Sequence, residues 1–317
     1  MNTELQADLD RGRFGRPYFD RMLELRSEVR DRLAGLLAVP AQSVALTAST
    51  TDACNIVLTG LGLLPDDEVV TTDEEHFGLI GALDSSGAHV VVAPASRVLD
   101  AVTPRTRLVA VSHVSWATGN RLDPARIRAE TGLPVLVDGA QSVGAIPVEA
   151  SGVDFYTVSC QKWLCGPDPT GALYVRDPEE LRVALPSYFS QTDHEPDGSF
   201  TPSEGALRFD SGWVSVPYLA GLIAALDAAP EWRFDRAREM TSRCHELLAE
   251  RFRVVSEPGA STLVSFEAEG DAEEIADRLF GEGVVVRNIP HTNLVRVSCG
   301  YWTSDEDLER LVVALTT

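Results

Sequence analysis

Apolar positions follow two periods along the chain. From Pro17 to Val39, Phe19, Met22, Leu23, Leu25, Val29, Leu33, Leu36 and Leu37 recur near helical spacing with charges between them, which predicts an amphipathic helix. Short apolar runs then alternate with helical patterns. Val44–Thr47 reads as a strand, and ASTTDACNIVLTGLGLL as a polar turn opening into an apolar helix. Glu68–Thr72 is a strand, and HFGLIGALDSSG a helix closing at Gly87. HVVVAPA, RLVAVSHVS and PVLVDGA are near-continuous apolar strands, the kind buried on both faces of a parallel sheet. Phe155–Ser159 and Gly171–Arg176 continue the series. Strands alternating with helices predict an α/β fold, a mostly parallel sheet sandwiched by helices.

The pattern then changes. Residues 186–205 are polar and rich in Pro, Gly, Ser and Asp, as in a surface loop. From Trp232 a helix (Arg233–Phe252) precedes strands VVSE and TLVSFEA, helix DAEEIADRLFGEG, strands VVVRN and LVRVSCG, and a terminal helix from Ser304. Residues 1–228 are therefore expected to form a large domain and 229–317 a smaller α+β domain.

Composition narrows the possible functions. The 317 residues carry a formal net charge of -21, which disfavours nucleic acid and anionic membranes as partners. No apolar run is long enough to span a bilayer, and MNTELQADLD lacks a signal-peptide profile. The five cysteines, Cys54, Cys160, Cys165, Cys244 and Cys299, form no CxxC pair, so reduced, mostly buried thiols in a cytoplasmic enzyme are expected, and no metal site. The basic residues are almost all arginine, and Lys162 is the only lysine. A guanidinium stays protonated and cannot form an imine, so any lysine-dependent chemistry has one possible position.

Four features lie at predicted strand ends, where ligands gather in such sheets. Asp138 closes the apolar run PVLVD, with Gln141 three residues on. A carboxylate there calls for a cationic partner, such as a protonated pyridine nitrogen, or else serves as a helix cap. Ser159 and Gln161 precede Lys162 in FYTVSCQKWLCGP, between two strands and ahead of a Gly-Pro. Ser49, Thr50 and Thr51 open a helix whose amides and dipole favour a phosphate, although such residues also cap helices generally. His76 directly follows a strand, where it is either structural or able to stack on a cofactor ring.

Together these residues resemble the class V aminotransferase family of pyridoxal phosphate (PLP) enzymes of fold type I. The most specific stretch is VDGAQSVGAIPV, GVDFYTVSCQKWLCGP and GALYV, in that order. By that match Lys162 is the Schiff-base lysine and catalytic base. Asp138 pairs with the pyridine nitrogen, Gln141 with the ring oxygen, and His76 stacks on the ring. Thr50, Thr51, Ser159 and Gln161 surround the phosphate. In LVRVSCGYWTSDEDLERLV, Arg296 stands where the family clamps the substrate α-carboxylate. The resemblance also implies a homodimer with shared active sites.

Cysteine desulfurases of this family carry a nucleophilic cysteine on a loop ahead of that arginine; here VVVRNIPHTNLVRVS has none. Trp116 in SHVSWATG replaces their usual asparagine, and the overall texture is most similar to the cysteine/cystine C–S lyase branch. The implied activity is C–S β-lysis of a cysteine derivative, releasing a sulfur species, pyruvate and ammonia, with Trp116 and Arg296 at the substrate. The alternatives are an aminotransferase, an epimerase or a desulfurase on the same fold. A non-catalytic module is disfavoured by the joint presence of Asp138, Gln141 and Lys162. Three departures stand out. Gln161 occupies the place of a histidine in many relatives. Trp213 lies near the place of a threonine offered to the neighbouring subunit's phosphate, with Ser211 or Ser215 as substitutes. The chain also begins within the family's first helix, its N-terminal segment shortened.

Overall fold

Two helices open the chain in the computed structural model, which describes residues 1–316: α1 (Asn2–Arg11) and α2 (Gly15–Leu37). A separate helix thus precedes the amphipathic one. Its apolar residues are too sparse to announce it: α1 buries none of its side chains, and Leu9 is 80% exposed. Helix α2 has the expected stripe, with Met22, Leu25, Val29, Leu33 and Leu37 all buried. Each contributes roughly 1.5–3 kcal/mol relative to an exposed side chain.

The larger of two units comprises Met1–Asp73, Phe77–His113 and Asp123–Ala229. After α2 it contains β1 (Val44–Thr47), α3 (Thr50–Leu61), β2 (Glu68–Thr72), α4 (Phe77–Asp84), β3 (His89–Ala93), β4 (Thr106–Ser112), α5 (Pro124–Thr131), β5 (Val135–Asp138), β6 (Phe155–Ser159), β7 (Gly171–Val175), β8 (Gln191–His194), β9 (Phe200–Pro202) and α6 (Val216–Ala228). Seven strands form one sheet in the order β1-β7-β6-β5-β4-β2-β3. β3, β2, β4, β5 and β6 run parallel, whereas β7 is antiparallel to both β6 and β1. The mostly parallel α/β architecture is therefore as expected.

Two details differ from the sequence reading. β3 is an edge strand, not buried on both faces, and Val92 is 56% exposed. The polar segment 186–205 contains the β8–β9 hairpin, anchored by the buried residues Ser190 and Ser203, whose backbones pair at 2.9 Å.

The smaller unit consists of Glu74–His76, Val114–Leu122 and the chain from Pro230 onward. It contains α7 (Arg233–Ala249), β10 (Leu263–Glu267), α8 (Ala272–Gly281), β11 (Arg287–Ile289), β12 (Leu294–Ser298) and α9 (Asp305–Thr316). Its antiparallel sheet has the order β10-β12-β11, packed around Met240, Leu248, Phe266, Val295 and Leu311. VVSE pairs only through a single bridge from Val254 to Phe266. VVVRN is a strand only from Arg287, and the end of α8 takes the amide of its first residue, Val284 N donating to Leu279 O.

Residues 114–122 belong to this unit through backbone contacts that cross long stretches of sequence. The carbonyls of Ala117 and Gly119 accept from Ser265 Oγ and Ser261 Oγ, both at 2.6 Å, and Ser256 Oγ donates to Thr118 O. Gly119 (φ 76°) is required there, since a Cβ would lie 2.7 Å from Leu263 O. Among the described residues no helix is long and apolar enough to cross a membrane.

Candidate active site

Asp138 is the last residue of β5 and is 5% exposed. Burial pushes its carboxyl above the ordinary carboxylate range, while the Ala140 amide, donating to Oδ1 at 2.8 Å, and the nearby Lys162 charge pull it down. The loop after Asp138 packs on the loop after β6. Gly144 (φ 90°) lies so close that an added Cβ would meet the Trp163 carbonyl carbon at 2.9 Å. Trp163 Nε1 donates to Gln141 Oε1 at 2.9 Å, which occupies the amide's acceptor and leaves its NH2 group as donor.

Lys162 lies on that second loop, which is closed by Cys165 N donating to Lys162 O at 3.1 Å and Gly166 N to Cys160 O at 2.9 Å. Cys165 takes a left-handed conformation (φ 54°) to complete the turn. The Lys162 side chain is exposed, and Leu164 is the residue of this turn that enters the core. Three candidates from separate parts of the sequence, Asp138, Gln141 and Lys162, are thus joined through one pair of packed loops.

The start of α3 is capped by Ser49, whose Oγ accepts from Asp52 N at 3.1 Å. The first amides of a helix have no intrahelical acceptor, so those of Thr50 and Thr51 are left to an anion. Thr50 is 9% exposed and Thr51 is exposed. At the end of β6, Ser159 Oγ donates to Gln161 Oε1 at 2.8 Å and so turns the Gln161 amide nitrogen outward as a donor. Ser211 is committed to Asp52 Oδ2. Trp213 is 55% exposed and packs against Phe19, Tyr188 and Phe189, with ring centroids 5.1–6.3 Å away.

In the smaller unit the His76 and Trp116 rings meet edge to face at 4.8 Å. The Trp116 carbonyl accepts from Arg296 Nη1 at 2.5 Å, so His76, Trp116 and Arg296 form one cluster. Arg296 Nε is buried with no hydrogen-bond partner. Burial, and then the like charge of Arg287, lower its guanidinium to about 10, so it remains charged near neutral pH. Arg287 lies directly opposite Arg296 in the β11–β12 register, although like charges facing each other across strands are unfavourable. A half-buried guanidinium whose buried Nε is an unused donor calls for an anion.

Sequence reasoning missed Arg287, Trp163 and Asp52. Asp52 was findable, because ASTTD has the serine-then-acid spacing of a capping box. The pairings of Arg287 and Trp163 carry no local signal.

The class-V aminotransferase profile matches residues 19–311, and the chain belongs to that family. A probable cysteine desulfurase from Xylella fastidiosa is 28% identical, the alignment covering 92% of this chain and 80% of the relative. The isopenicillin N epimerase of Streptomyces clavuligerus is 27% identical, with 91% and 83% covered. Among solved structures, the cystine C–S lyase C-DES in complex with its product cysteine persulfide superposes with a TM-score of 0.90 at 27% identity, covering 99% of this chain and 92% of that one. A variant of C-DES with glycine covalently linked to its PLP cofactor matches with the same TM-score. The protein is a PLP-dependent enzyme of the cysteine desulfurase and C–S lyase group. Its own residues fit the cofactor: a buried carboxylate in need of a cation, a lysine amine beside it, and an anion-ready helix start in the same unit.

Proposed function

We propose that this enzyme is a C–S β-lyase. It cleaves the Cβ–S bond of cysteine, cystine or an S-substituted cysteine and releases a sulfur species, pyruvate and ammonia. The observation carrying this reading is that the β11–β12 hairpin, which delivers Arg296, contains no cysteine to take sulfur from the substrate. Four of the five thiols are buried, and the fifth, Cys165, lies on the Lys162 turn. The similarity to a cystine C–S lyase supports the same assignment.

When bound, PLP would supply the electron sink that makes removal of the Cα proton and loss of the β-sulfur possible. Lys162 Nζ, the chain's one lysine amine, anchors the cofactor, takes the Cα proton and returns it where needed. Asp138 would hold the pyridine nitrogen protonated, and the NH2 group that Trp163 leaves on Gln141 would donate to the ring oxygen. Thr50, Thr51, Ser159 and Gln161 hold the phosphate. Arg296 receives the substrate α-carboxylate through its unused Nε and fixes the Cα–H bond for proton removal. His76, braced by Trp116, would stack on the ring, and Trp116 would bound the substrate side chain.

The test is a panel of cystine, cysteine and S-alkyl cysteines given to the holoenzyme with and without a 2-oxo acid. Pyruvate formed without the oxo acid supports the lyase; dependence on it would indicate transamination. The similarity to an epimerase favours one further reading, and appearance of the opposite enantiomer without pyruvate would establish it. A homodimer in the cytoplasm goes with the proposal. The exposed aromatic rings of Tyr188 and Trp213, and five free cysteines, support it, and the mass in solution tests the dimer.

A further inference from the structure

Asp210 sits at the centre of a buried network that the chemistry above does not use. It follows the 3-10 turn Gly205–Phe209 and is 2% exposed. Arg26 Nη2 donates to its Oδ2 at 2.7 Å, and Arg30 reaches both oxygens at 3.0 and 2.9 Å. Both arginines project from α2 and are themselves buried. The amide of Leu46 in β1 also donates to Asp210 Oδ1, at 2.8 Å, and the next residue returns the contact, Ser211 N donating to Leu46 O at 2.9 Å. Residues 210–211 are thus laced along the open edge of β1, and Ser211 Oγ donates onward to Asp52 Oδ2.

We propose that Asp210 is a positioning residue for the cofactor phosphate, acting through Ser211 and Asp52 on the first turn of α3. This rests on the reading that the Thr50 and Thr51 amides take the phosphate. Asp52 is the acid of that turn. Left loose, its carboxylate would compete for the amides of Thr50 and Thr51 and repel a phosphate dianion. It is restrained by two donors on one oxygen, Ala48 N at 2.9 Å and Ser211 Oγ. Ser211 in turn is placed by Asp210, whose carboxylate accepts four hydrogen bonds that fix it against α2 and β1. A buried ion pair of this kind adds little stability over an apolar replacement; fixing one arrangement is its better-attested use.

The test compares dissociation constants for PLP and for pyridoxal, which lacks the phosphate, measured by reloading enzyme from which cofactor has been dialysed. In Ser211→Ala and Asp210→Asn the constant for PLP should rise about tenfold, with that for pyridoxal unchanged within about twofold, and Ser211→Thr should restore the wild-type value. Parallel changes for both ligands, or no change in Ser211→Ala, would overturn the proposal. Asp210→Asn strands two buried arginines and could fail to fold, in which case Ser211→Ala decides. Thr50→Pro, which removes the first amide of α3 at a helix position that tolerates proline, separates the underlying reading: if it shifts the PLP-to-pyridoxal ratio and Ser211→Ala does not, only the positioning role falls. If neither shifts the ratio, the phosphate assignment falls with it.

Discussion

Trp163 Nε1 donates to Gln141 Oε1 at 2.9 Å, so the residue directly after the lysine sets which face of the Gln141 amide is presented as a donor. The contact ties the loop after β5 to the loop after β6, and so ties the Asp138 carboxylate to the Lys162 amine. Trp163→Phe keeps an aromatic ring and removes only the donor. The dissociation constant for PLP is expected to rise about three- to tenfold, the worth of one hydrogen bond, and cofactor titration checks this.

Asp138→Asn separates folding from cofactor chemistry. Burial raises the Asp138 carboxyl, so the folded chain binds this proton more readily than the unfolded chain. The stabilising contribution is fully present below the unfolded carboxylate value and is lost as pH rises through the raised folded value. Above that raised value the ionised group therefore burdens the cofactor-free protein. Asp138→Asn is expected to raise the Tm of the cofactor-free form, a gain that shrinks as pH falls toward about 4. The loaded enzyme should lose activity by at least about tenfold. Scanning calorimetry and turnover rates read the two effects.

Arg296→Lys should raise KM for the amino-acid substrate about 10–100-fold, with a smaller fall in kcat, because an ammonium cannot reproduce the forked contact. Since burial and Arg287 lower the Arg296 guanidinium to about 10, wild-type KM should be level through neutral pH and climb as that value is approached. Arg287→Ala removes the like charge and should move the climb to higher pH. Initial-rate kinetics across pH measure both.

Ala38 ends α2 in a left-handed conformation (φ 55°, ψ 46°) that favours glycine. Ala38→Gly should stabilise the protein by about 1 kcal/mol, seen as a higher urea midpoint at unchanged slope.

The candidate site is legible in the sequence as far as its proposed chemistry coincides with local pattern. Asp138 ends an unbroken apolar strand, Lys162 is the sole lysine, and Thr50 and Thr51 open a helix just after a strand. What escaped depends on contacts between distant residues. Residues 114–122 join the C-terminal strands through Ser256, Ser261 and Ser265, far along the chain. The strand expected at VVVRN begins only at Arg287, and the end of α8 takes the amide of its first residue, Val284. Arg26 and Arg30 read as ordinary charges on a helix until Asp210, 184 and 180 residues away, meets them. α1 escaped for the opposite reason, having no buried face to create a periodic signal.

The most direct test of the lyase assignment is the ratio of pyruvate to alanine formed when the holoenzyme consumes cysteine or cystine without an added oxo acid. A β-lyase leaves the carbon skeleton as pyruvate, with ammonia in equal amount, whereas transfer of sulfur to an enzyme thiol leaves alanine. The hairpin that carries Arg296 without a cysteine predicts pyruvate matching the substrate consumed and alanine near zero. Alanine as the main product, abolished by Cys165→Ser, would contradict the assignment and make this enzyme a desulfurase.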